Sequence, residues 1–99
     1  MLTMERDLKK ALALPKLKLP GRPRVERVEF AQITDSIGDP ALRITVVLDE
    51  ATSDEEREWS RLAPVADAIR RALAAAEIDL WPYIRFRKVS EQALAAAEG

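Results

Sequence analysis

Ninety-nine residues, 47% apolar and 33% charged, suffice for one globular domain with a single core and leave no room for a second. The chain has no cysteine and no histidine, which excludes disulfides, thiolate catalysis, His-based triads and the Cys or His zinc sites. The net charge of −1 conceals a segregation: residues 1–28 carry +5, residues 29–58 carry −7 and residues 59–99 carry +1. Such blocks point to complementary surfaces, within the chain or between chains, whereas a nucleic-acid binder shows a global basic excess. The apolar run ALALP at residues 11–15 is too short for a signal-peptide core, and no stretch is long enough to cross a bilayer. A soluble, unprocessed, cytoplasmic protein is the expectation.

The N-terminal segment reads as an arm, residues 1–23. Met4, Leu8 and Leu12 recur on one face of a helix over residues 3–14, with Thr3 as its N-cap, and Pro15 ends it. The stretch PKLKLPGRP then reads as an extended linker. An amphipathic helix on such a tether suits docking, on the domain itself, on a second copy or on another protein, with Met4, Leu8 and Leu12 as the contacts. A membrane-surface role for the basic side of this helix ranks lower, because two acids interrupt it.

The domain proper spans residues 24–99. RVERVEFAQIT and ALRITVVL are strand-like runs flanking the turn-prone DSIGDP, so they form a hairpin. Placing Val28 and Phe30 on the face of Leu42, Ile44, Val46 and Leu48 pairs Arg27 with Asp49 and leaves a five-residue loop at 36–40. Ser53 and Glu56 form a capping box ahead of a helical stripe of Trp59, Leu62, Ala66, Ile69 and Leu73, with Trp59 at the core or its edge. Pro64 lies within that stripe and should kink or divide the helix. PYIRFRK is a third strand with Ile84 and Phe86 inward, and Ser90 caps a short terminal helix in which Val89 and Leu94 form a staple.

The predicted fold is α+β: a β-β-α-β three-stranded antiparallel sheet in the order 2-1-3, one main helix on one face, an N-terminal helical arm and a short C-terminal helix. Pro82 fits the edge position this gives strand three. The same order leaves strand two at the other edge, although Leu42, Arg43, Ile44, Thr45, Val46, Val47 and Leu48 contain no proline, glycine or acid. An unprotected edge of that kind invites pairing. The sequence therefore predicts a non-catalytic protein-interaction or regulatory partner protein, a homodimer or one half of a hetero-complex, associating through that edge and the arm. An antitoxin-like inhibitor or an adaptor would be analogous cases.

The competing reading is a single-stranded nucleic-acid-binding domain. Its platform is the outer sheet face, where Arg27, Arg43, Tyr83, Arg85 and Arg87 gather beside Trp81. Predicted pairs of Arg27 with Asp49, and of Glu29 with Arg85 or Arg87, reduce its charge. The segment IRFRKV has only the basic and aromatic character of an RNA-recognition strand, and the glycines at 21, 38 and 99 form no GxxG loop or phosphate cradle. The acidic residues Asp35, Asp39, Asp49, Glu50, Asp54, Glu55 and Glu56 split between opposite ends of the sheet and serve turns and helix starts, so no metal, cofactor or catalytic residue is assigned.

Overall fold

A computed structural model describes the backbone of residues 2–98 and the side-chain environments of residues 4–95. The elements in chain order are α1 (Leu2–Ala11), α2 (Leu14–Leu17), β1 (Val25–Thr34), β2 (Pro40–Leu48), α3 (Trp59–Ala75), β3 (Trp81–Lys88) and α4 (Val89–Glu98). The Thr3 cap predicted for the first helix lies outside the described side chains.

The sheet is three-stranded but its order is β1-β2-β3, with β1 and β2 antiparallel and β2 and β3 parallel. This corrects the antiparallel 2-1-3 arrangement. β2 occupies the middle, and β2–α3–β3 is a parallel crossover unit of the kind that requires an intervening helix. The apolar run of β2 is therefore not an undefended edge. A strand covered on both faces needs apolar side chains on both, and Leu42, Ile44, Val46, Val47 and Leu48 are all fully buried. Only Arg43 among residues 41–48 is exposed.

The hairpin has the predicted facial phase but is displaced by two residues. Val28 pairs with Val46, Phe30 with Ile44 and Arg27 with Val47, so the loop is residues 35–39. Asp35 accounts for the shift: its Oδ1 accepts hydrogen bonds from the N–H groups of Ile37 and Asp39, and its own N–H donates to the Asp39 carbonyl at 2.9 Å. A side chain that closes a turn on its own backbone fixes where the ladder begins. Gly38, at φ 88°, supplies the left-handed residue of that turn.

The inner face of the sheet carries one core. Leu62, Val65, Ile69 and Leu73 of α3 meet Leu42, Ile44, Val46 and Leu48, and Leu8, Ala11, Leu12 and Leu17 belong to the same cluster. The N-terminal segment thus docks on its own domain. Leu8 and Leu12 are buried and Met4 packs against the cluster, so these three contacts are made within the chain. Pro15 does not end a helix here but stands in the first turn of α2, where proline's missing N–H is harmless.

The capping box forms, with Ser53 N–H donating to Glu56 Oε1 and Glu56 N–H to Ser53 Oγ, both at 3.2 Å. It caps a 3₁₀ turn at Glu55–Arg57, and the break before α3 falls at the extended Glu58 and not at Pro64, which lies inside the continuous helix. Trp59 is consequently the first residue of α3 and is 62% exposed, outside the core it was expected to join. α3 ends with Glu77 left-handed at φ 59°, Ile78 N–H donating to the Leu73 carbonyl and Glu77 N–H to that of Ala74. This is a Schellman cap in which glutamate holds glycine's usual place.

Candidate binding surface

Strand pairing arranges the outer sheet face in four rows across β1, β2 and β3: Ile33, Ala41, Trp81; Ala31, Arg43, Tyr83; Glu29, Thr45, Arg85; Arg27, Val47, Arg87. α4 packs on β2 and β3 over the last two rows, and Thr45 and Val47 are buried beneath it. Among the described residues no helix packs over the first two rows. There Trp81 is 63% and Tyr83 46% exposed, their rings edge to face at a centroid distance of 6.5 Å.

Four carboxyl and guanidinium anchors hold α4 in place. Glu50, at the end of β2, accepts from both Ser90 N–H and Ser90 Oγ–H at 2.8 Å. Glu91 accepts from Lys88 N–H at 2.7 Å and from Arg57 Nη1 at 3.0 Å, while Gln92 Nε2 donates to Glu29 Oε1 at 2.7 Å. Ser90 therefore works as a donor to Glu50, within a helix that starts at Val89, and not as the predicted cap. Leu94 is 64% exposed, so the staple expected with Val89 does not bury it.

The hydrogen-bond donors around these carboxylates explain the titration pattern. Hydrogen bonds from Ser90 hold Glu50 below the usual carboxylate value, Arg57 does so for Glu91, Arg27 for Glu29, and the Ser53 backbone N–H for Glu56. Each of these shifts favours the charged form, the opposite of what a general acid at neutral pH requires. Arg85 is perturbed in the reverse sense. Burial, then the neighbouring Arg87 and Arg43 guanidinium groups, hold its pKa below the ordinary arginine value, opposed by Glu29.

The residues predicted for the nucleic-acid face do share one face, but in two settings. Arg27 pairs with Glu29 at 2.6 Å and not with Asp49, because the register places Val47 opposite it. β1 and β3 are not neighbours, so Glu29 reaches Arg85 only across Thr45, whose Oγ1 accepts from Arg85 Nε at 2.8 Å. Arg43 remains exposed beside Tyr83. A cavity of about 90 Å³ between Arg43, Arg85, Glu29 and Gln92 lies at the margin of α4. The residues predicted as a partner edge, Leu42 to Leu48, are in the central strand with neighbours on both sides, and only Arg43 contributes to this surface.

The pocket beside Trp81 was not read from the sequence, whereas Trp81 itself was expected on the outer side. Trp81 lies on the outer face at the start of β3, and beside it a pocket of about 230 Å³ is lined by Leu73, Ile78, Leu80 and Pro82 together with Arg70 and Ala74. The aromatic content of WPYIRFRK signalled Trp81; the pocket depends on how the end of α3 meets β3 and has no local signature. Among the described residues, no group of three His, Cys, Asp or Glu side chains is placed to hold a metal ion, and no helix is long and apolar enough to cross a membrane. Comparison with known proteins finds no matching family model, no matching curated relative and no matching solved structure.

Proposed function

We propose that the protein is a non-catalytic interaction module, a regulatory partner or adaptor, that docks another protein on the uncovered half of its outer sheet face. The exposed Trp81 and Tyr83 pair carries this reading. Tryptophan, tyrosine and arginine are the residues that concentrate binding energy at protein interfaces; here Trp81, Tyr83 and Arg43 share the uncovered rows, and Trp81 also borders an apolar pocket able to take one side chain. Ile33, half-buried in the row of Trp81, extends the apolar area. Neither aromatic ring contributes to the protein's own core, so substitution there separates binding from folding.

The test uses matched baits in cells of the native source: wild type, Trp81→Ala and Arg43→Glu. Under this reading a stoichiometric protein partner is retained by wild type and lost by both variants, whose thermal melts match wild type. A partner that binds both variants as well as wild type refutes the assignment of the surface.

A second reading, single-stranded nucleic-acid binding, draws on the same aromatic pair and on the proximity of Arg43, Arg85 and Arg87. It predicts binding of a labelled oligonucleotide that weakens with salt and with Arg85→Glu or Arg87→Glu. The acidic pI of about 5.5 and the internal neutralisation of Arg27 by Glu29 favour a protein partner. Fluorescence anisotropy at low salt separates the two, and absence of binding there removes the second.

A further inference from the structure

The two free edges of the sheet are defended very differently. β3 has Pro82 as its second residue, carries Arg85, Arg87 and Lys88 with no acid, and its Phe86 carbonyl accepts from Arg57 Nη2 at 3.5 Å. These are the usual obstacles to pairing with another strand. β1 has ten residues without proline or glycine, and its charges, Glu26, Arg27 and Glu29, are of both signs and so can complement a second copy where the all-basic β3 would repel one. Among the described residues, no hydrogen bond from another element reaches the backbone of its free edge, and Gln92 of α4 reaches only the Glu29 side chain. Val25, Val28 and Phe30 pack against the core from this strand and are still only partly buried, so the core is open along its rim.

The phase of the ladder shows which groups are available. The Asp35 N–H to Asp39 carbonyl bond marks a hydrogen-bonded pair. In an antiparallel ladder such pairs alternate, so Ile33, Ala31, Glu29 and Arg27 exchange bonds with β2. Val28, Phe30 and Gln32 accordingly direct N–H and C=O outward. Pro40, opposite Thr34, sits at a position where no donor toward β1 is needed, which agrees with this phase.

We propose that two copies of the chain pair antiparallel along β1 about a two-fold axis beside Val28, giving a continuous six-stranded sheet. The register follows from charge. Centred on Val28, it places Arg27 of each copy opposite Glu29 of the other, so the four charges alternate in sign on the outer face. Centred on Glu29 it would set two carboxylates against each other, and centred on Phe30 it would oppose both charges with Ala31 and Ile33. The bulge between Val25 and Arg27 lies near the end of the paired run, where its added twist separates the strands. The axis is perpendicular to the sheet, so both Trp81 and Tyr83 surfaces face the same side, their strands about 24 Å apart at the usual strand spacing.

Light scattering coupled to size exclusion, over a micromolar concentration series, tests the pairing on the full chain. The expected result is a dimer for wild type. Arg27→Glu should raise the dimer dissociation constant about a hundred-fold, because like charges then face each other across the axis. The double variant Arg27→Glu, Glu29→Arg should restore the dimer, since the alternation returns with its signs exchanged. Hydrogen exchange on wild type, which requires no substitution, should show the Val28 and Phe30 amides protected at high concentration and exposed on dilution. A wild type that stays monomeric, an Arg27→Glu variant that dimerises as tightly, or a folded double variant that does not recover overturns the proposal. Trp81→Ala, which probes the partner surface, should leave the dimer intact, so failure of one assignment is distinguishable from failure of the other.

Discussion

Val47→Ala is the most direct probe of how the outer face is organised. Val46 and Val47 are adjacent, both fully buried, and point to opposite faces of β2: Val46 toward the α3 core, Val47 beneath α4. Replacing valine by alanine removes about 1.6 kcal/mol of transfer free energy, at about 0.8 kcal/mol for each carbon, plus a cavity contribution near 1 kcal/mol where the surroundings do not collapse. Each substitution should therefore destabilise by about 2–3 kcal/mol, lowering the melting temperature by roughly 8–24 °C for a domain of this size. Urea titration followed by circular dichroism measures this, provided the slope is unchanged. Gln32→Ala, at an exposed position, is the control and should fall within about 0.5 kcal/mol of wild type. If Val46→Ala has its full effect while Val47→Ala behaves like the control, α4 does not seal the outer face and the covered-strand account of β2 fails.

Acid should release α4 first. Glu50, Glu91 and Glu29 titrate below their ordinary value of 4.5 in the folded chain, so their contribution is complete above that pH and is lost as the pH falls through the folded values. Val47 methyl resonances should shift below pH 4.5 before global unfolding, and Glu50→Gln should move this transition toward neutrality. Glu77→Gly should stabilise by about 0.5–1 kcal/mol in thermal melts, since glycine takes the left-handed cap at φ 59° without a Cβ penalty. Gly38→Ala, at φ 88°, should destabilise by about 1 kcal/mol although the space around it is open, the strain being in the backbone alone.

The candidate surface was legible in its residue types and not in its boundary. Alternation along WPYIRFRK put Tyr83, Arg85 and Arg87 on one side, and the strand pairings confirm that Arg43 and Arg27 share it. What divides that face is α4, whose attachment depends on Glu50 meeting Ser90 forty residues later and on Arg57 meeting Glu91. Contacts at such separation leave no periodic trace. Trp59 shows the same limit: its spacing matched the buried stripe, but the extended Glu58 started the helix at Trp59 and turned the ring to solvent.

By itself the sequence determined the three strands, the main helix, their facial phase and the chemistry that lacks residues to perform it, because periodicity, turn residues and composition act over a few neighbouring positions. Only the tertiary structure decided which strand lies in the middle. A run such as ALRITVVL looks the same whether it is an edge awaiting a partner or a centre covered on both sides. The difference is made by β3 lying parallel against it and by α4 closing over Val47, both of which depend on where distant segments come to rest.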